Sequence, residues 1–180
     1  MDDERAAHGS ATPDGLDHVG RILAQWHRER PDLDVSPMGV IGRLHRLARV
    51  LDAELAPVFA AEGLRDGDFD VLAALRRSGA PYELSPGELV RTTMVTSGAT
   101  SKRLDRLEAA GLVARRPDPD DARGRRVGLT DEGVATVDRL VAAHVGNEHR
   151  LLAELDADDR AALAALLERW GRALGDPPVT

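Results

Sequence analysis

Cations in this chain gather in one stretch, where they could engage polyphosphate. From Arg91 to Arg126 stand nine of them (Arg91, Lys102, Arg103, Arg106, Arg115, Arg116, Arg123, Arg125, Arg126) against five acids. That local balance of +4 sits in a chain of formal net charge −7, so the remainder carries −11. Attraction to phosphate follows the local patch, and an acidic surround can orient the approach. Within the stretch, the 3.6-residue period places Thr100, Leu104 and Leu107 on one side, where they must pack inward. Gly98, Lys102, Asp105, Arg106 and Ala109 gather opposite them. Ser97, Ser101, Lys102 and Arg106 are therefore the groups expected at base edges and phosphates: Arg and Lys suit guanine O6 and N7, and short hydroxyls suit the backbone. Arg103 fits neither side, lying about 60° from the centre of the buried stripe. A guanidinium half-buried there needs a carboxylate or an anionic guest.

The elements that must position these groups follow from local signals. Ser85-Pro86-Gly87-Glu88 opens a helix, with Ser as N-cap, Pro at the first helical position and Glu returning to the cap. A second helix runs from Ser97 to the Gly111 stop. A strand from Leu112 to Arg116, the loop Pro117 to Gly124 and a return strand ending at Leu129 complete the unit. A helix fits the major groove, and an arginine on a hairpin tip reaches the narrow minor groove beside it. The fold expected is mainly α with a small two- to three-stranded β-wing, a winged helix-turn-helix between long terminal helices.

Residues 1–13 are polar and expected to be disordered, and 176–180 form a tail. Residues 14–62 carry N-terminal helices for dimerisation and a ligand cleft, 63–130 the winged unit, and 131–175 C-terminal dimerisation helices. Leu16, Val19, Leu23 and Trp26 form a stripe that stops at Pro31. Ser36-Pro37 caps a long helix with Val40, Ile41, Leu44, Leu47, Leu51, Leu55 and Val58 on one side, which Pro57 should kink or end. Between Asp66 and Arg77, Phe69, Leu72 and Leu75 point inward, which leaves Asp70 on the exposed side. Thr130-Asp131 opens a helix with Val134, Val137, Val141, Val145, Leu152 and Leu155 inward. Asp156 caps a last helix bearing Leu163, Leu166, Leu167, Trp170 and Leu174. Stripes this long either wrap the chain's own core or cross with those of a second copy. The crossing arrangement is the expectation, a homodimer with two recognition helices one DNA turn apart on an inverted repeat of double-stranded DNA.

The chain has no cysteine, which removes disulfides and thiol nucleophiles. Its six histidines never stand four apart as in a helical zinc site, and no Gly-rich phosphate loop or nucleophile elbow occurs. No enzyme activity, cofactor or metal is expected. No apolar run approaches the ~18 residues of a membrane span and the acidic start is no signal peptide, so a cytoplasmic protein with no membrane partner is expected. A helical interaction protein without DNA binding is the competing class; Lys102, Arg106 and Arg123 argue against it.

The wing text Asp121-Ala122-Arg123-Gly124-Arg125-Arg126-Val127-Gly128-Leu129-Thr130 resembles the D-x-R-[SG]-x-x-V-x-L-T signature of the MarR family of bacterial transcription regulators. It follows a recognition helix ending in Arg-Leu-Glu-x-x-Gly-Leu-Val, and the similarity runs from about Leu16 to Leu174. The resemblance implies a homodimeric repressor of an adjacent, divergent gene that leaves DNA when a small phenolic or anionic ligand binds. It also implies that Arg123 enters the minor groove braced by Asp121, with Arg125 beside them on the wing.

A narrower similarity is to the urate-responsive subgroup, which adds an N-terminal helix bearing a Trp and uses a ligand set of Trp, Asp and two Arg. Trp26, Asp70, Arg103 and Arg115 stand at the matching places. Trp stacks on a flat heterocycle, Arg holds a purine anion and Asp pairs with Arg. By that resemblance, urate entering between the N-terminal helix and the winged unit recruits Arg103 and Arg115, repels Asp70 and tilts the recognition helix. Each residue has a plainer reading: Trp26 as a core anchor, Asp70 as exposed, Arg115 as a phosphate contact, Arg103 as the partner of a local acid. The effector alternatives are a phenolic or other lipophilic anion, or none.

Overall fold

The computed structural model describes residues 15–93, 97–119 and 124–175. Asp121, Arg123, the side chain of Ser97 and the segments 1–13 and 176–180 lie outside the described residues. The elements are α1 (His18–Glu29), α2 (Ser36–Ala60), α3 (Asp66–Arg77), β1 (Glu83–Leu84), α4 (Pro86–Thr92), α5 (Ser97–Ala109), β2 (Val113–Pro117), β3 (Arg125–Leu129), α6 (Asp131–Leu151) and α7 (Ala157–Ala173). The chain divides into two compact units, one ending at Glu54 and the other starting at Leu55, with the boundary inside α2.

In the first unit Asp17 caps α1, its Oδ1 accepting from the Gly20 N–H at 2.7 Å. The same carboxylate holds Arg43 of α2 through Nε and Nη2 at 2.9 and 2.8 Å. That guanidinium, helped by the Gly20 amide, holds Asp17 below the usual carboxylate pKa. Val19 is buried beside Gly42.

In the second unit α3 is the central rod, packed by α4, α5, α6 and β3. Val71, Leu72 and Leu75 are wholly buried, joined by Phe59, Leu89, Leu107, Val127 and Val137. The three strands run β1-β3-β2, all antiparallel, with Val113 opposite Leu129 and Arg115 opposite Val127. α4 begins as expected: Ser85 Oγ accepts from Glu88 N and Glu88 Oε2 accepts from Ser85 N at 2.7 Å. α5 is closed by Gly111, whose φ of 72° is the left-handed value that a C-terminal stop requires.

Three expectations change. Asp34, not Ser36, caps α2, its Oδ1 receiving the Ser36 N–H, and Ser36 is the first helical residue. Pro57 itself lies inside α2, and the helix ends within one turn of it, at Ala60. Asp70 is buried, at 6% exposure, because α3 is covered on nearly every side and has no solvent face at that turn. The apolar stripes of the long helices turn inward only in part: Val137 is buried and Leu55, Val58 and Val134 pack against the core, whereas Val40, Ile41, Leu44 and Leu47 of α2, Val141 and Val145 of α6, Leu152, Leu163, Leu166, Leu167 and Leu174 are exposed. Helical period marks a face that wants cover, and the described residues leave these positions without it.

Candidate functional site

α5 is held by one side and offers the other. Thr100, Leu104 and Leu107 are buried, as the period requires, and truncating either leucine would cost about 2–5 kcal/mol. Ser101, Lys102, Asp105 and Arg106 are exposed along the opposite side. β2 and β3 rise directly after α5, so the wing is tied to the recognition helix by a short turn. Arg125 stands exposed at the start of β3, with Nη1 on the Gly124 carbonyl at 3.3 Å.

Internal carboxylates occupy four of the seven described arginines between Arg91 and Arg126. Arg106 Nη2 donates to Asp68 Oδ1 at 2.5 Å. Arg115 is gripped by two acids of α5, Asp105 at 2.7 Å and Glu108 at 2.8 Å. The hydrogen bond that it donates to Asp105 leads the causes that raise its pKa above the usual guanidinium value. Arg116 pairs with Glu83 at 2.9 Å. Arg126 reaches Asp118 at 3.5 Å and the Glu83 carbonyl at 3.3 Å. Arg91, Lys102 and Arg125 form no ion pair with the described residues. Neither Asp68 nor Glu83 was singled out by sequence; Asp68 stands at the third position of α3, where a carboxylate reaches back to the cap, and that was its available signal.

Two clefts flank these elements. One of about 560 Å³ is walled by Phe59, Phe69, Asp70, Arg76, Asp138 and His144. Phe59 and Phe69 stack with centroids 4.8 Å apart, and the His144 ring tilts against both. The other, of about 210 Å³, lies between α5 and the wing, with Thr100, Ser101, Arg115 and Arg125 on its walls.

The four ligand-set residues are thus distributed. Asp70 lines the first cleft and Arg115 the second. Arg103 packs on the start of α3, where a methyl group on Gly67 would lie 2.3 Å from its Nε. Its Nη1 is buried without a hydrogen-bond partner among the described residues. Trp26 is exposed on α1 in the first unit. Of the plainer readings, the core anchor for Trp26 and the exposed carboxylate for Asp70 both fail on burial.

Comparisons with known proteins agree with the fold. The MarR family model matches residues 62–124. The HTH-type transcriptional regulator PecS of Dickeya dadantii is 45% identical over 151 residues, 84% of this chain and 91% of PecS. A crystal structure of mutant MarR from E. coli complexed with operator DNA has a TM-score of 0.65 at 29% identity, covering 80% of this chain and 96% of that one. A structure of Bordetella bronchiseptica BpsR, concerned with regulation of its DNA binding by 6-hydroxynicotinic acid, has a TM-score of 0.65 at 28% identity, covering 73% and 92%.

Proposed function

Because the chain belongs to the MarR family of DNA-binding transcription regulators, we propose that it binds an inverted-repeat operator as a homodimer and releases it when a purine anion such as urate binds. Ser101 and Lys102 of α5 meet the major groove. Arg125, with Arg123 and Asp121 carried over from the family signature, serves the wing. Ser97, a short hydroxyl at the start of α5, is assigned to the DNA backbone by the helical period. The dimer follows from the uncovered stripes of α2, α6 and α7, which expose large aliphatic side chains that a second copy would cover.

The observation that carries the effector reading is Arg103. A buried guanidinium nitrogen without a partner is costly, and an anion placed there would satisfy it. Asp70, buried on the same α3 that Arg103 packs against, is the carboxylate that an arriving anion repels. By the family resemblance, Trp26 is the stacking member of the ligand set and Arg115 its second cation. Binding at Arg115 means competing with Asp105 and Glu108, so ligand entry loosens the tie between α5 and β2. A shifted recognition helix loses phosphate contacts, each felt steeply through counterion release.

Titrating urate into a complex of the chain with the DNA upstream of its gene tests this. Release at micromolar to millimolar urate is expected; intact binding throughout that range removes the purine version. A second reading keeps the regulator and takes another aromatic anion as effector, favoured by the 6-hydroxynicotinic acid named for BpsR. A thermal-shift panel of purines against aromatic carboxylates separates the two.

A further inference from the structure

The helical period puts Arg106 among the groove-facing residues, yet its guanidinium leans the other way. Nη2 donates to Asp68 Oδ1 at 2.5 Å, and Nη1 to the Lys102 carbonyl of its own helix at 3.3 Å. The Asp68 side chain is only 4% exposed, against 40% for Arg106. Asp68 Oδ2 accepts from the Arg65 N–H at 3.3 Å, which pins the carboxylate to the first turn of α3. It cannot follow the arginine outward. A buried carboxylate without a cation is strongly disfavoured, so burial as well as attraction holds the pair together.

We propose that Asp68 and Arg106 are a positioning pair that sets the angle of the recognition helix on α3, and that Arg106 reads no base. Arg106 stands in the last turn of α5 and fixes that end, while Ser101 and Lys102, a turn earlier, are left for the groove. This rests on the operator-binding reading. It lowers the number of cations that α5 brings to DNA, and it makes a residue that never meets DNA a determinant of operator affinity.

The test measures affinity of the full chain for a labelled duplex from upstream of its gene, at several salt concentrations. The variants are Arg106→Gln, Asp68→Asn, the double variant and Asp68→Glu. Each of the first two is expected to weaken binding about tenfold, and the double variant no more than the worse single. The slope of log affinity against log salt stays at the wild-type value. Asp68→Glu keeps an anion at a position where Glu also caps a helix, and recovers most of the loss. Arg106→Gln changes a partly exposed side chain, so the comparison survives if Asp68→Asn folds poorly.

A slope shallower by about 0.9 in Arg106→Gln, with Asp68→Asn at or above wild-type affinity, assigns Arg106 to a phosphate and overturns the proposal. Additive losses overturn it too. A wild-type chain that binds no DNA sinks the functional reading instead. The pair is then judged by amide hydrogen exchange of α5 in the free protein, which both single variants speed equally if the pair holds the helix and leave unchanged if it does not.

Discussion

Gly67 is where a single methyl group separates folding from ligand response. Alanine is favoured over glycine inside a helix by about 1 kcal/mol, and what a Cβ would strike is the movable end of Arg103. Gly67→Ala is therefore expected to melt no lower than wild type and to bind operator normally. Its urate midpoint for release should rise at least about tenfold, the loss of one charge-assisted contact. An unaltered midpoint would take Arg103 out of the ligand set. Arg115 makes the opposite prediction. Asp105 and Glu108 compete with any incoming anion, so Asp105→Asn should lower the urate needed for release, read in the same gel shift.

At the scale of elements, the local signals were the legible ones. The α4 capping box could be read because its donors and acceptors lie within four residues. Hydrogen bonds from the Ser85 backbone and hydroxyl hold Glu88 below its ordinary pKa of 4.5. Its contribution is thus present above about pH 4.5 and lost as pH falls through the lower, folded-state value. Ser85→Ala should cost about 1 kcal/mol in urea unfolding at pH 7. The difference between wild type and Glu88→Gln should shrink towards zero in acid; a constant gap would mean the carboxylate charge is idle. Asp70 was not legible, because a wheel assumes one solvent face and α3 has almost none. The Arg106 partnership was not legible either. Its acid stands 38 residues away, and pairing at that range leaves no periodic trace.

For the whole molecule, charge and apolar area say different things about the chain alone. The +4 read from Arg91 to Arg126 overstates the field at the groove, since Arg106 and Arg116 face Asp68 and Glu83, two acids from outside that stretch. Lys102 carries correspondingly more, and Lys102→Ala should weaken operator binding and reduce the salt slope by about 0.9, as a lost phosphate contact does. The apolar stripes were visible in sequence as periodicity, but periodicity does not say whether a helix is covered by its own chain or by another. α7 has no buried residue, and Leu166 and Leu167 stand 52% and 43% exposed. A second copy is the cover proposed for them, and it also links two half-sites, so that the second docking event is intramolecular. Leu166→Lys with Leu167→Lys places two charges in that face. Sedimentation velocity should then report a monomer, and operator affinity should fall by two orders of magnitude or more, on the order of what avidity supplies, while a single half-site is bound as weakly as before. A variant that still sediments as a dimer, with wild-type affinity, would show that α7 lies outside the subunit contact and return its stripe to another role.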